Sequence, residues 1–176
     1  GARRPLNLGT INPGSTQHLS AELFRSVSGI QATMVPFKTS GEVQLALQRG
    51  DIDLGFESYA ALRAGIDSGD LRALATTGPT RTPWLPQVPT TREAGLPDYE
   101  VTGWNALYAP KGTPQPMIDR LVDALDQALD DDATRKRLLV LGSDIPEKSK
   151  RGPQPLLALV KSEIARWTPI IKAANI

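Results

Sequence analysis

Cysteine is absent from these 176 residues and histidine occurs once. The two shortages together exclude a thiol nucleophile, a disulfide framework, an iron–sulfur cluster and a zinc cage built from this chain. No metal and no other cofactor is expected. Lack of cysteine is compatible with an oxidising compartment without establishing one. A surplus of one charge is missing too: 20 Lys and Arg stand against 19 Asp and Glu, a formal net charge of +1. Such a balance offers no basic field for gripping a phosphate backbone, so nucleic acid is not an expected partner. Long apolar runs are also absent. "LLVLG" from Leu138 and "PLLALV" from Pro155 fall far short of the roughly 20 residues a membrane-crossing helix needs.

What is present suits a globular fold. With 40% apolar and 22% charged residues, the chain is long enough for one substantial core or two small ones. Leu6 to Thr10 reads as a short strand, and Leu19, Leu23, Phe24 and Val27 then recur at helical spacing up to Gly29. "IQATMVPF" from Ile30 is strand-like, "SGEVQLALQRG" from Ser40 reads as a helix, and "DIDLGF" from Asp51 as another strand. "YAALRAGI" from Tyr59 predicts a third helix leading into a fourth strand at "LRALATT" from Leu71. Alternation of this kind predicts an α/β fold with parallel strands and right-handed crossovers. Residues 78–98 hold five prolines and must be mostly loop, with one helical turn at "TTREAG". Beyond them "YEVTGWNALYAP" from Tyr99 reads as a strand. Helices follow at 115–131, where Met117, Leu121, Leu125 and Leu129 form one stripe, at "DATRKRLLVLG" from Asp132, and at 154–173.

If the strands ending near Thr10, Phe37 and Phe56 are parallel, the loops after them lie at one end of the sheet. Three helix N-termini then point the same way, and their unpaired N–H groups and positive dipole ends suit a small carboxylate. The candidate ligand-binding residues there are Gly14, Ser15, Thr16 and His18 from the first loop and helix, Lys38, Thr39 and Ser40 from the second, and Glu57 from the third. A plainer alternative accounts for several of them. Ser15 is a good N-cap, and Thr39 with Glu42 three residues on is a capping box. A further alternative makes His18 a general base for Ser15. That pair would also need an orienting group and an oxyanion hole, and the "GxSxG" elbow is absent. No catalytic residue is therefore assigned, and the chain is not expected to be an enzyme.

The segments "GSTQHLSAELF", "VPFKTSGEVQLALQRGDIDLGF", "LRALATTGPTR", "LPQVPTTREAGLPDYEVTGWNALYAPKGTP" and "EIARWTPIIKAANI" together resemble the Bug or TctC family, extracytoplasmic solute receptors of tripartite tricarboxylate transporters. The resemblance runs along nearly the whole chain. It implies a two-domain fold like that of type II periplasmic binding proteins, with a small carboxylate in the cleft. Residues 1–100 would be a complete domain two, the ligand-binding lobe, and residues 101–176 the helical C-terminal part of domain one. The start of domain one would be missing, so the receptor would be truncated. Periplasmic location, partnership with the transporter's membrane components, and homo-oligomer formation through an exposed 101–176 segment are further expectations. Carried over by position, the family's contacts fall on Gly14, Ser15, Thr16, Thr39, Ser40 and Glu57. Three positions depart from the usual pattern: Phe37 lacks the usual hydroxyl, Thr39 stands where Gly is favoured, and Glu57 replaces the more usual Asp. The effector-binding domain of a LysR-like transcription regulator, which has a similar fold, is the alternative reading.

Overall fold

The structure, a computed structural model, describes residues 4–174 and 176. It divides into two compact units, Gly1–Gly103 with Pro169–Ile176, and Trp104–Thr168.

The first unit is built on a small parallel sheet. Strand β1 (Leu6–Ile11) pairs with β2 (Ala32–Phe37) from Leu6↔Ala32 through Ile11↔Phe37, and with β3 (Leu54–Gly55) at Leu8↔Leu54 and Gly9↔Gly55. The order β2-β1-β3 places the first strand in the centre. Helix α1 (Thr16–Ser28) links β1 to β2, and α2 (Ser40–Arg49) links β2 to β3. Helix α3 (Tyr59–Asp67) follows β3. Side chains alternate across the sheet, so each face takes its own helix. On one face Val43, Ala46 and Ile52 are buried against Ile11, Val35, Phe37 and Leu47. Gly9 lies on that face, where an added Cβ would press on the end of the Ile52 side chain and force it to shift. Leu8 and Thr10 point the other way, and both are fully buried.

An aromatic cluster of Phe24, Phe56 and Tyr99 closes this unit, with ring centroids 5.3, 5.5 and 6.4 Å apart. The Tyr99 hydroxyl lies 2.7 Å from Ser20 Oγ and donates to the Ser20 carbonyl at 3.2 Å. Burial pushes the Tyr99 phenol up to about 12, against a smaller opposing pull from Ser20. Above about pH 10 the unfolded chain loses this proton while the folded chain keeps it, so stability falls as pH rises toward 12. The expected loss across that window is roughly 2–3 kcal/mol, because each pH unit by which folding delays a titration corresponds to about 1.4 kcal/mol. Urea titrations between about pH 9 and 11.5 should show the decline in the parent and a shallower one in Tyr99→Phe.

Two expected strands do not form. Residues 71–77 make only the isolated parallel bridge Thr76↔Thr90. Their hydrogen bonds go instead to the proline-rich loop: Thr76 N donates to Pro89 O, Thr91 N to Thr76 O, and Val101 N to Thr77 O, each at 2.9 Å. Pro89 has no N–H, so this pairing does not extend into a ladder. The segment from Tyr99 to Pro110 is likewise outside any strand. Its apolar residues Leu107 and Tyr108 are 68% and 71% exposed, with no sheet edge paired to them among the described residues. The turn expected at "TTREAG" is present over residues 91–95, closed by Ala94 N to Thr90 O at 2.9 Å.

The second unit holds α4 (Gln115–Asp130), α5 (Asp132–Val140), a single 3-10 turn at Lys148–Lys150, and the first part of α6 (Pro153–Ala174). Arg151 joins its pieces, reaching Asp126 at 2.7 Å and Asp130 at 2.9 Å, with Lys148 on Asp130 at 2.7 Å. No residue between Trp104 and Thr168 is buried. Along α4, Met117, Leu121 and Leu125 are spaced i, i+4, i+8 and stand 58%, 55% and 39% exposed.

Candidate functional site

The parallel register brings the loops after β1, β2 and β3 to the carboxyl end of the sheet. Asn12 N donates to Phe37 O at 3.2 Å, tying the first loop to the second. Gln17 Nε2 donates to Glu57 Oε2 at 3.3 Å, tying the third loop to the first turn of α1.

Each helix here starts on a side-chain cap. Ser15 Oγ accepts the His18 amide at 3.1 Å and donates its own proton to Ile11 O at 3.0 Å. Gly14, with φ +80°, donates its N–H to His18 Nδ1 at 3.1 Å. Nδ1 is thus an acceptor, which puts the proton of the neutral ring on Nε2, 3.8 Å from Glu22 Oε1. At α2, Thr39 Oγ1 accepts the Glu42 amide at 3.3 Å while Glu42 Oε2 takes the Lys38 amide at 2.9 Å. The Lys38 side chain is exposed. At α3, Ser58 Oγ accepts from Ala61 N at 3.4 Å and Glu57 Oε2 accepts from Ser58 N at 3.1 Å.

These bonds decide between the readings of the opening loop. The Ser15 hydroxyl proton goes to a carbonyl and the imidazole acceptor is taken by Gly14, so neither half of a serine–histidine nucleophile is in place. Capping uses Ser15 and Thr39 without exhausting the edge. The first two helical amides of each helix have no intrahelical acceptor. They are Thr16 and Gln17 in α1, Ser40 and Gly41 in α2, and Tyr59 and Ala60 in α3. Six N–H groups near three positive helix ends suit a carboxylate or another small anion. Gly14, Ser15, Thr16 and His18 gather at the start of α1, and Glu57 joins them through Gln17. Lys38, Thr39 and Ser40 sit at the start of α2, linked to the others through the Asn12–Phe37 backbone bond.

Two residues escape a reading of the sequence. Gln17 bridges to Glu57 across 40 positions, and Thr10, near the end of β1, buries its hydroxyl without a partner among the described residues. A place near the end of β1 is the one signal that marks Thr10, and Gln17, in the first turn of α1, carries none.

An open parallel sheet with helix N-termini gathered at its carboxyl end is the kind of edge at which α/β proteins place ligands. The chain belongs to the tripartite tricarboxylate transporter family receptors, TctC, whose family description matches residues 3–176. That family consists of solute receptors rather than enzymes. A curated relative, the UPF0065 protein in the TAR-I ttuE-ttuC' intergenic region of Agrobacterium vitis, is 33% identical over 170 residues, covering 97% of this chain and 49% of its own. The chain thus spans about half the length of that relative. Among solved structures, Rpa4515 of R. palustris with adipate is 34% identical with TM-score 0.83, covering 98% of this chain and 57% of that one. MatC of Rhodopseudomonas palustris with bound malate is 34% identical with TM-score 0.81, covering 94% and 56%. The α/β fold with its small parallel sheet matches part of these structures.

Proposed function

We propose that the chain supplies a ligand-binding lobe of a periplasmic receptor for a small organic carboxylate, one carboxyl group resting on the free amides at the start of α1. The observation that carries this is the convergence of three capped helix N-termini on one end of the parallel sheet, in a chain similar to structures holding adipate and malate. On this reading residues 1–100 are the complete second domain of a receptor resembling type II periplasmic binding proteins, and residues 101–176 the C-terminal part of the first. The receptor passes its ligand to the transporter's membrane components. The exposed face of 101–176 is open to association with a second copy. Family membership favours this reading over a regulator's effector domain.

Thr16 allows a clean test. It is the first residue of α1, and Ser15 before it has φ −67° and ψ 160°, the conformation proline demands of its predecessor. Thr16→Pro therefore keeps the helix and removes one N–H. Thr16→Val removes the hydroxyl and keeps the amide. Carboxylate affinity should fall by about 1.5–3 kcal/mol in the proline variant, the range for a hydrogen bond to a charged group. The valine variant should lose less, and equal affinities in the two would place the anion elsewhere. Ser15→Ala should also weaken binding, and it should cost about 1 kcal/mol of stability through the lost cap.

A further inference from the structure

We infer that His18 is a pH-sensitive strut of the loop between β1 and α1: the neutral ring holds the Gly14 amide, and the imidazolium releases it. Gly14 N donates to Nδ1 at 3.1 Å, and Ser15 Oγ accepts the His18 amide at 3.1 Å. One residue of α1 is therefore bonded to two successive loop residues, through its ring and through its backbone. His18 is 9% exposed, whereas Gly14 is exposed and holds φ +80°, a left-handed conformation that glycine adopts at no steric cost.

Protonation reverses the strut. Imidazole is the side chain whose charge ordinarily changes between about pH 5 and 8, and both ring nitrogens of the charged form are donors. Two N–H groups would then face each other across 3.1 Å. That bond breaks, and the exposed Gly14 turns its amide to solvent while Ser15 N keeps its bond to Asn12 O at 3.0 Å. The charged ring has an acid in place: Glu22 Oε1 lies 3.8 Å from Nε2, and Arg25 holds Glu22 Oε2 at 2.6 Å. On the neighbouring elements Glu42 accepts from the Lys38 amide and Glu57 from Gln17 and Ser58, while the Lys38 and Lys172 side chains are exposed.

The release bears on ligand capture, a consequence that rests on the carboxylate reading above. In acid the loop offers Gly14 N–H, Nδ1–H and a positive charge beside the free amides of Thr16 and Gln17, and each of these favours an anion. Capture is therefore stronger at about pH 5.5 than at about pH 8.

Nuclear magnetic resonance of the isotopically labelled full chain tests the strut without ligand. Between about pH 5 and 8 the Gly14 amide and the His18 ring should titrate with one midpoint, and the ring nitrogen shifts at the alkaline end should place the proton on Nε2. His18→Asn puts an acceptor oxygen where Nδ1 stands and does not titrate, so Gly14 should keep its alkaline shift throughout; His18→Ala should show the released amide throughout. Circular dichroism identifies folded variants, and the titration of the parent stands without them. A ring that titrates while Gly14 stays unchanged, or a Gly14 amide that titrates equally in folded His18→Asn, overturns the strut. Calorimetry with malate then compares the parent with His18→Asn at each pH, a ratio from which malate's own ionisation cancels. The parent should gain at least about threefold on the variant in acid, the effect of roughly one hydrogen bond. A constant ratio overturns the stronger capture in acid and leaves the carboxylate reading standing. No binding of malate by the parent overturns that reading, and the resonance titration still decides the strut.

Discussion

Tyr99→Ala is expected to remove about 3–5 kcal/mol of folding stability, the usual range for deleting a large buried aromatic side chain. Tyr99 is 2% exposed, packs edge-on against Phe24 and Phe56, and its hydroxyl meets both the Ser20 hydroxyl and the Ser20 carbonyl. Alanine would leave a cavity bounded by two rings and strand Ser20 Oγ in it. Thr91 Oγ1 also donates to the Tyr99 carbonyl at 2.6 Å, so Tyr99 is held to the proline-rich loop by its backbone and to α1 by its side chain. A domain holds only about 5–15 kcal/mol in total, so this variant should be largely unfolded or close to it at ambient temperature. Tyr99→Phe keeps the packing and forfeits the hydrogen bonds, for a loss of about 1–2 kcal/mol. Urea unfolding followed by circular dichroism separates the two, and similar midpoints would show that the cluster contributes little.

Self-association is the second large effect expected. No residue from 104 to 168 is fully buried, and Trp104, Leu107, Tyr108, Met117, Leu121, Leu125 and Leu139 to Leu141 lie on the surface. Contiguous apolar surface beyond a few hundred Å² is rare on a monomer and tends to be covered. Arg151 is tied to α4 by ion pairs to Asp126 and Asp130, whose carboxylates remain partly in solvent, and pairs of this kind contribute about 1 kcal/mol or less each. Light scattering coupled to size exclusion should therefore give a mass above 19.0 kDa that rises with concentration. Leu121→Glu, at the centre of the α4 stripe, should shift the distribution toward the monomer. A monomer at every concentration would mean that the apolar surface of this unit is covered within the chain.

Local signals explain what is legible in the sequence. Ser15, Thr39 with Glu42, Gly29 and Gly50 mark the ends of α1 and α2, and each is found at its cap. Such motifs work because both partners lie within four residues. The strands expected at 71–77 and 99–110 do not form because a β-branched or apolar run specifies only an extended chain, while a ladder also needs a partner with free N–H groups. Thr76 meets Pro89 instead. The site is legible as three loops at one edge, since parallel crossovers dictate that placement. Its internal wiring is not, because Gly14 to His18 depends on a left-handed glycine and Gln17 to Glu57 on a contact 40 residues apart.

The proposed carboxylate rests at the carboxyl end of the sheet, on the amides that open the helices, and that placement is open to measurement. Backbone amide chemical shifts of the isotopically labelled chain, followed as malate is added to millimolar concentration, test it most directly. Saturable shifts are expected, centred on Gly14, Thr16, Gln17 and the Glu57–Ala60 turn, with little change along Gly29–Ala32 at the far end of the sheet. Shifts centred on Gly29–Ala32, or none that saturate, would contradict it.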